Sequence, residues 1–365
     1  MSALGVLDNA LREAEIERPA LILDLPAMRA NLSYLTEHLP RGYAVRLADK
    51  SLPVPDLLAE AMEALNTRRI MSFHLPLTAA VLDRFPDAQV MMGKPVPATE
   101  AARFLASHPR AAQVIWLIDS ATRADRYAAL ADRFGPIPVA FEVDSGLGRG
   151  GFQSPAELSV LPGLTPHAVM GYEAHVSALP RLLGGGARAQ NAAMARLAAF
   201  REALPGIEIF NTGGSSTALH LPDGGPGNEL VVGSAIVKPS DFDQPVNAAL
   251  RPALFIATPV LKCVSHGLPG HPRLSRALRA FRLIAPRIAF VWGGKWMARP
   301  VWPEGLGNSP FYAPSSNQQG FTCAEAPTRV ILRPTQSEAV LQQFPVLHLF
   351  DGTKISGELR PFPIL

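Results

Sequence analysis

The sequence predicts an α/β chain, a TIM (β/α)8 barrel followed by a C-terminal antiparallel β-domain. Three observations predict it. Short apolar runs alternate with helical segments from Ala20 to about Val232. Most of these runs are apolar on both faces, as parallel strands covered by helices require. After about Pro245 the texture changes to apolar runs separated by Pro, Gly and Asn.

The first run, ALILD (20–24), reads as a strand leading into the barrel. Eight more follow: YAVRLA (43–48), RIMSF (69–73), QVMMG (89–93), QVIWLID (113–119), IPVAFEVD (137–144), AVMGYEA (168–174), IEIFNT (207–212) and ELVVG (229–233). Between them lie segments such as PATEAARFLASH and SATRADRYAALADRF, with apolar residues near helical spacing. Eight βα units in about 210 residues fit a closed barrel. A doubly wound open sheet is the alternative, but no GxGxxG follows the first strand. The expected division is 20–244 for the barrel and 245–365, with 1–19, for the β-domain. Within the latter, GNSPFYAPSSNQQGFT (307–322) reads as one long polar loop, a feature often tied to function.

Composition narrows the function classes. At 365 residues, with 48% apolar and 18% charged, the chain can bury a sizeable core. The net charge is +3 and the basic residues are scattered, so nucleic acid is not an expected partner. No apolar run is long enough to cross a bilayer, and the acidic, helix-like MSALGVLDNALREAEIE does not read as a secretory signal. Two cysteines, Cys263 and Cys323, give no disulfide framework. The expectation is a cytoplasmic protein that does not bind membranes. There are only six lysines against 28 arginines, so candidates for Schiff-base chemistry are few.

The candidate residues fall at strand ends, where barrel active sites form. Lys50 follows the first barrel strand; a lysine there can also simply snorkel. FEVDSGLGRGGF (141–152) sets four glycines around Arg149, whose planar fork suits a carboxylate or phenolate oxygen, although a plain βα turn reads the same way. His175, in GYEAHVS (171–177), ends the sixth strand. FNTGGSSTALH (210–220) places Thr212, Gly213, Gly214, Ser215 and Ser216 where amides and hydroxyls at a helix start can hold a phosphate. Gly233 and Ser234 follow the eighth strand; a phosphate held by the last two loops recurs in barrels. Lysine, arginine, histidine and phosphate loop together fit one ligand carrying an aldehyde and a phosphate, pyridoxal 5′-phosphate.

At this point the sequence resembles a family. RPALILDLPAMRANL (18–32), YAVRLADKS, VDSGLGRGGF, GYEAHVS, TGGSS and NELVVGS resemble segments of the alanine racemase-like (fold type III) pyridoxal-phosphate proteins, particularly the D-threonine aldolase and D-serine dehydratase branch. The resemblance implies the alanine racemase-like fold and a homodimer with shared sites. It also implies that Lys50 is the Schiff-base residue, Arg149 the cofactor-side arginine, and the loops at 212–216 and 233–234 the phosphate site. His175 falls where racemases have histidine and the aldolase branch usually has an aromatic residue.

Two departures bear on function. That branch binds a divalent metal through a C-terminal His-x-Asp or His-x-Cys pair, and the corresponding stretch here is LRPTQSEAVLQQF (332–344), with Gln336 and Glu338 at the ligand positions. An amide is a poor ligand for zinc or manganese, so no metal is expected, with Glu338 the remaining ligand if one is kept. An acidic, histidine-bearing segment of the branch corresponds to SSNQQG (315–320), placing Asn317 and Gln318 among candidate substrate contacts. The other departure is at the pyridine nitrogen, where Val231 or a neighbour replaces the racemase arginine. Tyr312 is a further substrate candidate, or a packing residue. Trp292, Lys295, Trp296 and Trp302 line a pocket or fill the β-domain core.

The leading expectation is a lyase acting on a D-configured β-hydroxy amino acid, by retro-aldol cleavage or by dehydration and deamination. A metal-independent racemase or epimerase is second; it needs two bases and only Lys50 is assigned. A catalytically silent cofactor-binding protein is third, and the extra β-domain weighs against it.

Overall fold

The computed structural model describes residues 2–160, 164–177, 179 and 185–363. The chain divides into two compact units. One holds the N-terminal residues through Ala30, Val237–Asp241 and Arg251–Pro361; the other holds Asn31–Ile236, Phe242–Leu250 and the residues from Phe362 on.

The chain opens with α1 (Ala3–Glu13), β1 (Ala20–Asp24) and α2 (Leu25–His38). Eight strands then close a parallel barrel in sequence order: β2 (Ala44–Ala48), β3 (Arg69–Ser72), β4 (Gln89–Met92), β5 (Val114–Ile118), β6 (Pro138–Val143), β7 (Thr165–Gly171), β8 (Ile209–Thr212) and β9 (Glu229–Val232). Closure pairs β2 with β9, Ala44 opposite Glu229 and Arg46 opposite Val231. β5 (VIWLI) is buried at every position, which is why its apolar run is continuous rather than alternating.

The crossovers are α3 (Pro55–Ala64), α4 (Leu75–Arg84), α5 (Ala98–Ser107), α6 (Ala121–Phe134) and α7 (Gly185–Ala203). α6 shows how sequence sets the ends. The Ser120 hydroxyl accepts from the Arg123 amide at its start, and Gly135 follows its last turn at φ 83°, in the left-handed region. Eight helical units are not what the structure has. Among the described residues, β6–β7 and β8–β9 are joined through 3₁₀ turns, Pro155–Val160 and Ala218–His220. Both connections are rich in Pro and Gly, which disfavour an α-helix.

The N-terminal end of the barrel is filled by a buried ion network. The Arg46 side chain is inaccessible; its Nε and Nη2 reach the two Glu229 carboxylate oxygens at 2.6 and 2.9 Å. Arg69 Nη1 (2.7 Å) and Asn211 Nδ2 (2.9 Å) donate to the same carboxylate, and Arg46 Nη1 caps the Ile70 and Gln89 carbonyls. Burial works to raise the Glu229 pKa, but the arginines beside it prevail and hold it below the ordinary value.

The other unit is a nine-stranded sheet adding β10 (Leu254–Ser265), β11 (Arg287–Trp292), β12 (Ala298–Trp302), β13 (Gly307–Asn308), β14 (Gln318–Cys323), β15 (Arg329–Pro334), β16 (Leu347–Phe350) and β17 (Ile355–Leu359). Every pairing is antiparallel except β1 with β16. The run at 20–24, placed with the barrel in the 20–244 division, pairs here with β10 and β16. A five-residue run buried on both faces reads the same in either sheet; only its partners tell them apart. α1 lays Leu7, Ala10 and Leu11 against Ile22, Phe255, Ile331 and Phe350. The segment read as one loop, 307–322, has β13 and β14 at its two ends, leaving 309–317 irregular. α8 (Pro272–Ala280) and α9 (Ser337–Leu341) complete the unit. Trp296 packs against Phe344 and Trp302 against the α1 cluster, whereas Trp292 is 48% exposed. No helix of the described residues is long and apolar enough to cross a membrane.

Candidate active site

The C-terminal ends of the barrel strands gather most of the predicted residues. β2 runs into a 3₁₀ turn, Asp49–Ser51, which carries Lys50. Its side chain is half-buried, with Nζ 4.4 Å from the centre of the Phe73 ring beyond β3. The neighbouring Ser51 hydroxyl lies 3.2 Å from that of Ser234. Gly233 leaves no room at this junction, since a Cβ there would stand 2.7 Å from Ser51 Oγ and 2.8 Å from Ala48 Cβ.

The loops after β8 and β9 are tied to each other. Ser215 Oγ accepts from the amides of Gly233 and Ala235, each at 3.1 Å, and Asn247 Nδ2 donates to the Ser215 carbonyl. The segment 213–216 leads into a single 3₁₀ turn, not the α-helix start expected, so a long helix dipole adds nothing here. What it offers instead is backbone. Among the described residues, the Ser215 and Ser216 amides and the Ser216 hydroxyl donate to nothing. Thr212 is buried, and its hydroxyl donates to Glu173.

The β6 loop is shaped by its glycines. Gly146, Gly148, Gly150 and Gly151 all have positive φ, and a Cβ on Gly151 would stand 2.8 Å from the Asp144 nitrogen. Asp144 Oδ1 accepts from the Gly146 and Gly148 amides, and Oδ2 from Gln153 Nε2. Burial would raise the Asp144 pKa, but these hydrogen bonds outweigh it and hold it below the ordinary value. Arg149, at the loop tip, has its guanidinium 5.2 Å from the Tyr172 ring and 3.7 Å from Glu142 Oε1. Burial raises the Glu142 pKa, partly offset by Arg149. His175 is half-buried in a 3₁₀ turn beside Gly146, and its Nδ1 is buried with no partner among the described residues.

Sequence reasoning missed Glu142, Tyr172 and Glu173, which hold the predicted residues in place. The signal was present: a glutamate inside one apolar strand, and another two residues past the next strand, must have partners when buried.

Five predicted substrate contacts lie in the sheet unit. Tyr312 Oη donates to the Gly267 carbonyl at 3.4 Å, and its ring meets Phe290 edge-on, so it packs there. The Asn317 carbonyl accepts from the Gly293 amide. Gln318 begins β14 opposite Trp292. Gln336 Nε2 donates to Asp241 Oδ2 at 2.6 Å, and Glu338 is half-buried in the first turn of α9.

Known proteins can be set beside this geometry. Residues 23–241 match the profile of the family described as alanine racemase, N-terminal domain. The chain belongs to that family. Members of the alanine racemase N-terminal domain family typically bind pyridoxal phosphate. A search of curated proteins finds no match by sequence. Among solved structures the chain is similar to D-threonine aldolase from Filomicrobium marinum, with TM-score 0.70 and 16% identity over 94% of this chain and 96% of that one. D-threo-3-hydroxyaspartate dehydratase from Delftia sp. HT23 gives TM-score 0.72 at 16% identity, over 94% and 97% of the two chains. Alanine racemase from Bacillus anthracis gives 0.66 at 16%, over 94% and 98%. These likenesses establish the alanine racemase-like fold.

The residues present fit pyridoxal phosphate. The Ser215 and Ser216 amides, without acceptors among the described residues, suit a phosphate; Lys50 supplies an amine, Arg149 a planar cation, and His175 a buried nitrogen without a partner among the described residues.

Proposed function

We propose that the chain holds pyridoxal 5′-phosphate at Lys50 and acts as a lyase on a D-configured β-hydroxy amino acid. One observation carries the cofactor assignment. Ser215 binds the Gly233 and Ala235 amides, and Ser234 meets Ser51, the residue after Lys50. The amine and the anion loops are thus tied into one hydrogen-bonded frame, as a ligand bearing an aldehyde and a phosphate needs. The lyase class draws support from the fold shared with an aldolase and a dehydratase of D-configured hydroxy amino acids.

When bound, the cofactor supplies an electron-withdrawing ring that stabilises charge developing at the substrate Cα. The chain's residues do the rest. Lys50 Nζ attaches the cofactor and, as a free amine, is the base that takes or returns a proton at Cα. The Ser215 and Ser216 amides bind the phosphate. Arg149, held by Glu142 and Tyr172, would supply a planar cation to the cofactor, and His175 would supply a second polar contact. Gly213, Gly214, Gly233 and Thr212 shape the loops; Ser234 fixes them to the lysine turn. The amide at Gln336 points to a reaction that needs no divalent metal.

The test is a panel of D- and L-β-hydroxy amino acids, with and without chelator. The expected products, from D-isomers only and with chelator present, are glycine plus an aldehyde, or an oxo acid plus ammonia. Solvent deuterium at Cα without net product would replace the lyase by a racemase. Activity lost to chelator and restored by manganese or zinc would overturn the metal-free reading.

A further inference from the structure

The loop at 212–217 is built on a carboxyl group. Glu173, two residues beyond β7, is wholly buried, with 0% exposure. Its Oε2 accepts from Thr212 Oγ1 and its Oε1 from Thr217 Oγ1, each at 3.1 Å. The Gly213 amide also donates to it. Thr217 Oγ1 in turn accepts from the Gly214 amide at 3.2 Å. Both ends of the loop are therefore clamped to one side chain, and the Ser215 and Ser216 amides, which have no partner among the described residues, lie between the clamps. Gly213 makes the turn possible, with φ 74°.

The charge at this position is a problem that the fold must solve. The partners of Glu173 are hydroxyls and amides, with no cation among them. The titratable groups around it are Tyr43 ahead of β2 and Tyr172 and His175 on its own segment; the cations there act on the tyrosines, Arg149 on Tyr172 and Arg201 on Tyr43. Burial therefore favours the protonated form. Glu229 makes the contrast, since it is equally buried but paired with two arginines and stays ionised. A carboxylate at Glu173 would also repel a dianion seated one loop away. A neutral carboxyl avoids this, and a threonine hydroxyl can turn to accept its proton.

We propose that Glu173 is the positioning residue of the anion loop and keeps its proton while a phosphate dianion is seated there. The inference rests on the phosphate-loop reading given above. The chemistry it fits is any tetrahedral dianion on the Ser215 and Ser216 amides.

Sulfate is a suitable probe, because its charge does not change across the working pH range. On the full chain freed of cofactor, calorimetry should give Glu173→Gln a sulfate affinity within about twofold of wild type. Glu173→Ala should bind about tenfold more weakly or worse, because the clamps are lost. The infrared difference spectrum, wild type minus Glu173→Gln with sulfate bound, should show the C=O stretch of a protonated carboxyl. Carboxylate bands in that spectrum, or Gln binding as poorly as Ala, or Ala binding like wild type, would overturn the inference and leave the cofactor assignment standing. If wild type takes up neither sulfate nor pyridoxal phosphate, the phosphate-loop reading falls and this inference with it.

Discussion

Ser51 and Ser234 meet hydroxyl to hydroxyl, 3.2 Å apart, across 183 residues of sequence. The contact joins the exit of the first barrel strand to the exit of the last. It places the turn carrying Lys50 in register with the loop that shares Ser215. A parallel barrel closes by pairing its first and last strands, so this proximity is a direct consequence of the fold.

Gly233→Ala should disturb this junction without unfolding the barrel. The new Cβ would lie 2.7 Å from Ser51 Oγ and 2.8 Å from Ala48 Cβ, so the 49–51 turn must shift. Misplacing a reacting amine in this way should cost roughly tenfold or more in rate. Cofactor titration and steady-state kinetics of the variant check it. Wild-type values for both would show that the junction does not position Lys50.

Glu142 sets a prediction for pH. Its carboxyl is buried, and burial raises its pKa above the ordinary 4.5, with Arg149 opposing. Pairing with Arg149 needs the ionised form, so it is intact above the raised pKa and lost as pH falls through it. The rate profile should therefore have an acid limb with its midpoint above 4.5. In Glu142→Gln that limb should vanish and kcat/KM fall by about tenfold, about 1.4 kcal/mol. An unchanged limb in the variant would assign the titration elsewhere.

At the opposite end of the barrel the effect should be on stability alone. Glu229→Gln leaves Arg46 wholly buried without its counter-charge, and removing one partner of such a pair costs about 3–5 kcal/mol. The folded pKa of Glu229 is depressed, so its contribution is present above the ordinary value of 4.5 and is lost as pH falls through the lower folded value. Denaturant melts at neutral and acid pH check both. Equal stability of wild type and variant at neutral pH would mean that the network contributes nothing.

The eight barrel strands were legible because each is a compact apolar run, and the glycines of SGLGRGG announced a loop that other residues cannot form. The position of Lys50 after β2 followed from the same pattern. What the sequence hid was partnership. Arg46 sits in the middle of an apolar strand, and nothing local says that Glu229 awaits it at the start of β9. Glu173 was hidden in the same way, since its partners come from β8 and the following loop. β1 was assigned with the barrel because burial on both faces does not name the sheet, and two crossovers expected as helices are 3₁₀ turns.

The central claim is covalent attachment at Lys50, and borohydride reduction tests it most directly. The chain is loaded with pyridoxal 5′-phosphate, reduced, digested and read by peptide mass. The account predicts a single phosphopyridoxyl group, on Lys50, and none on Lys50→Ala. Label on another of the six lysines, or wild type left unlabelled, would contradict it.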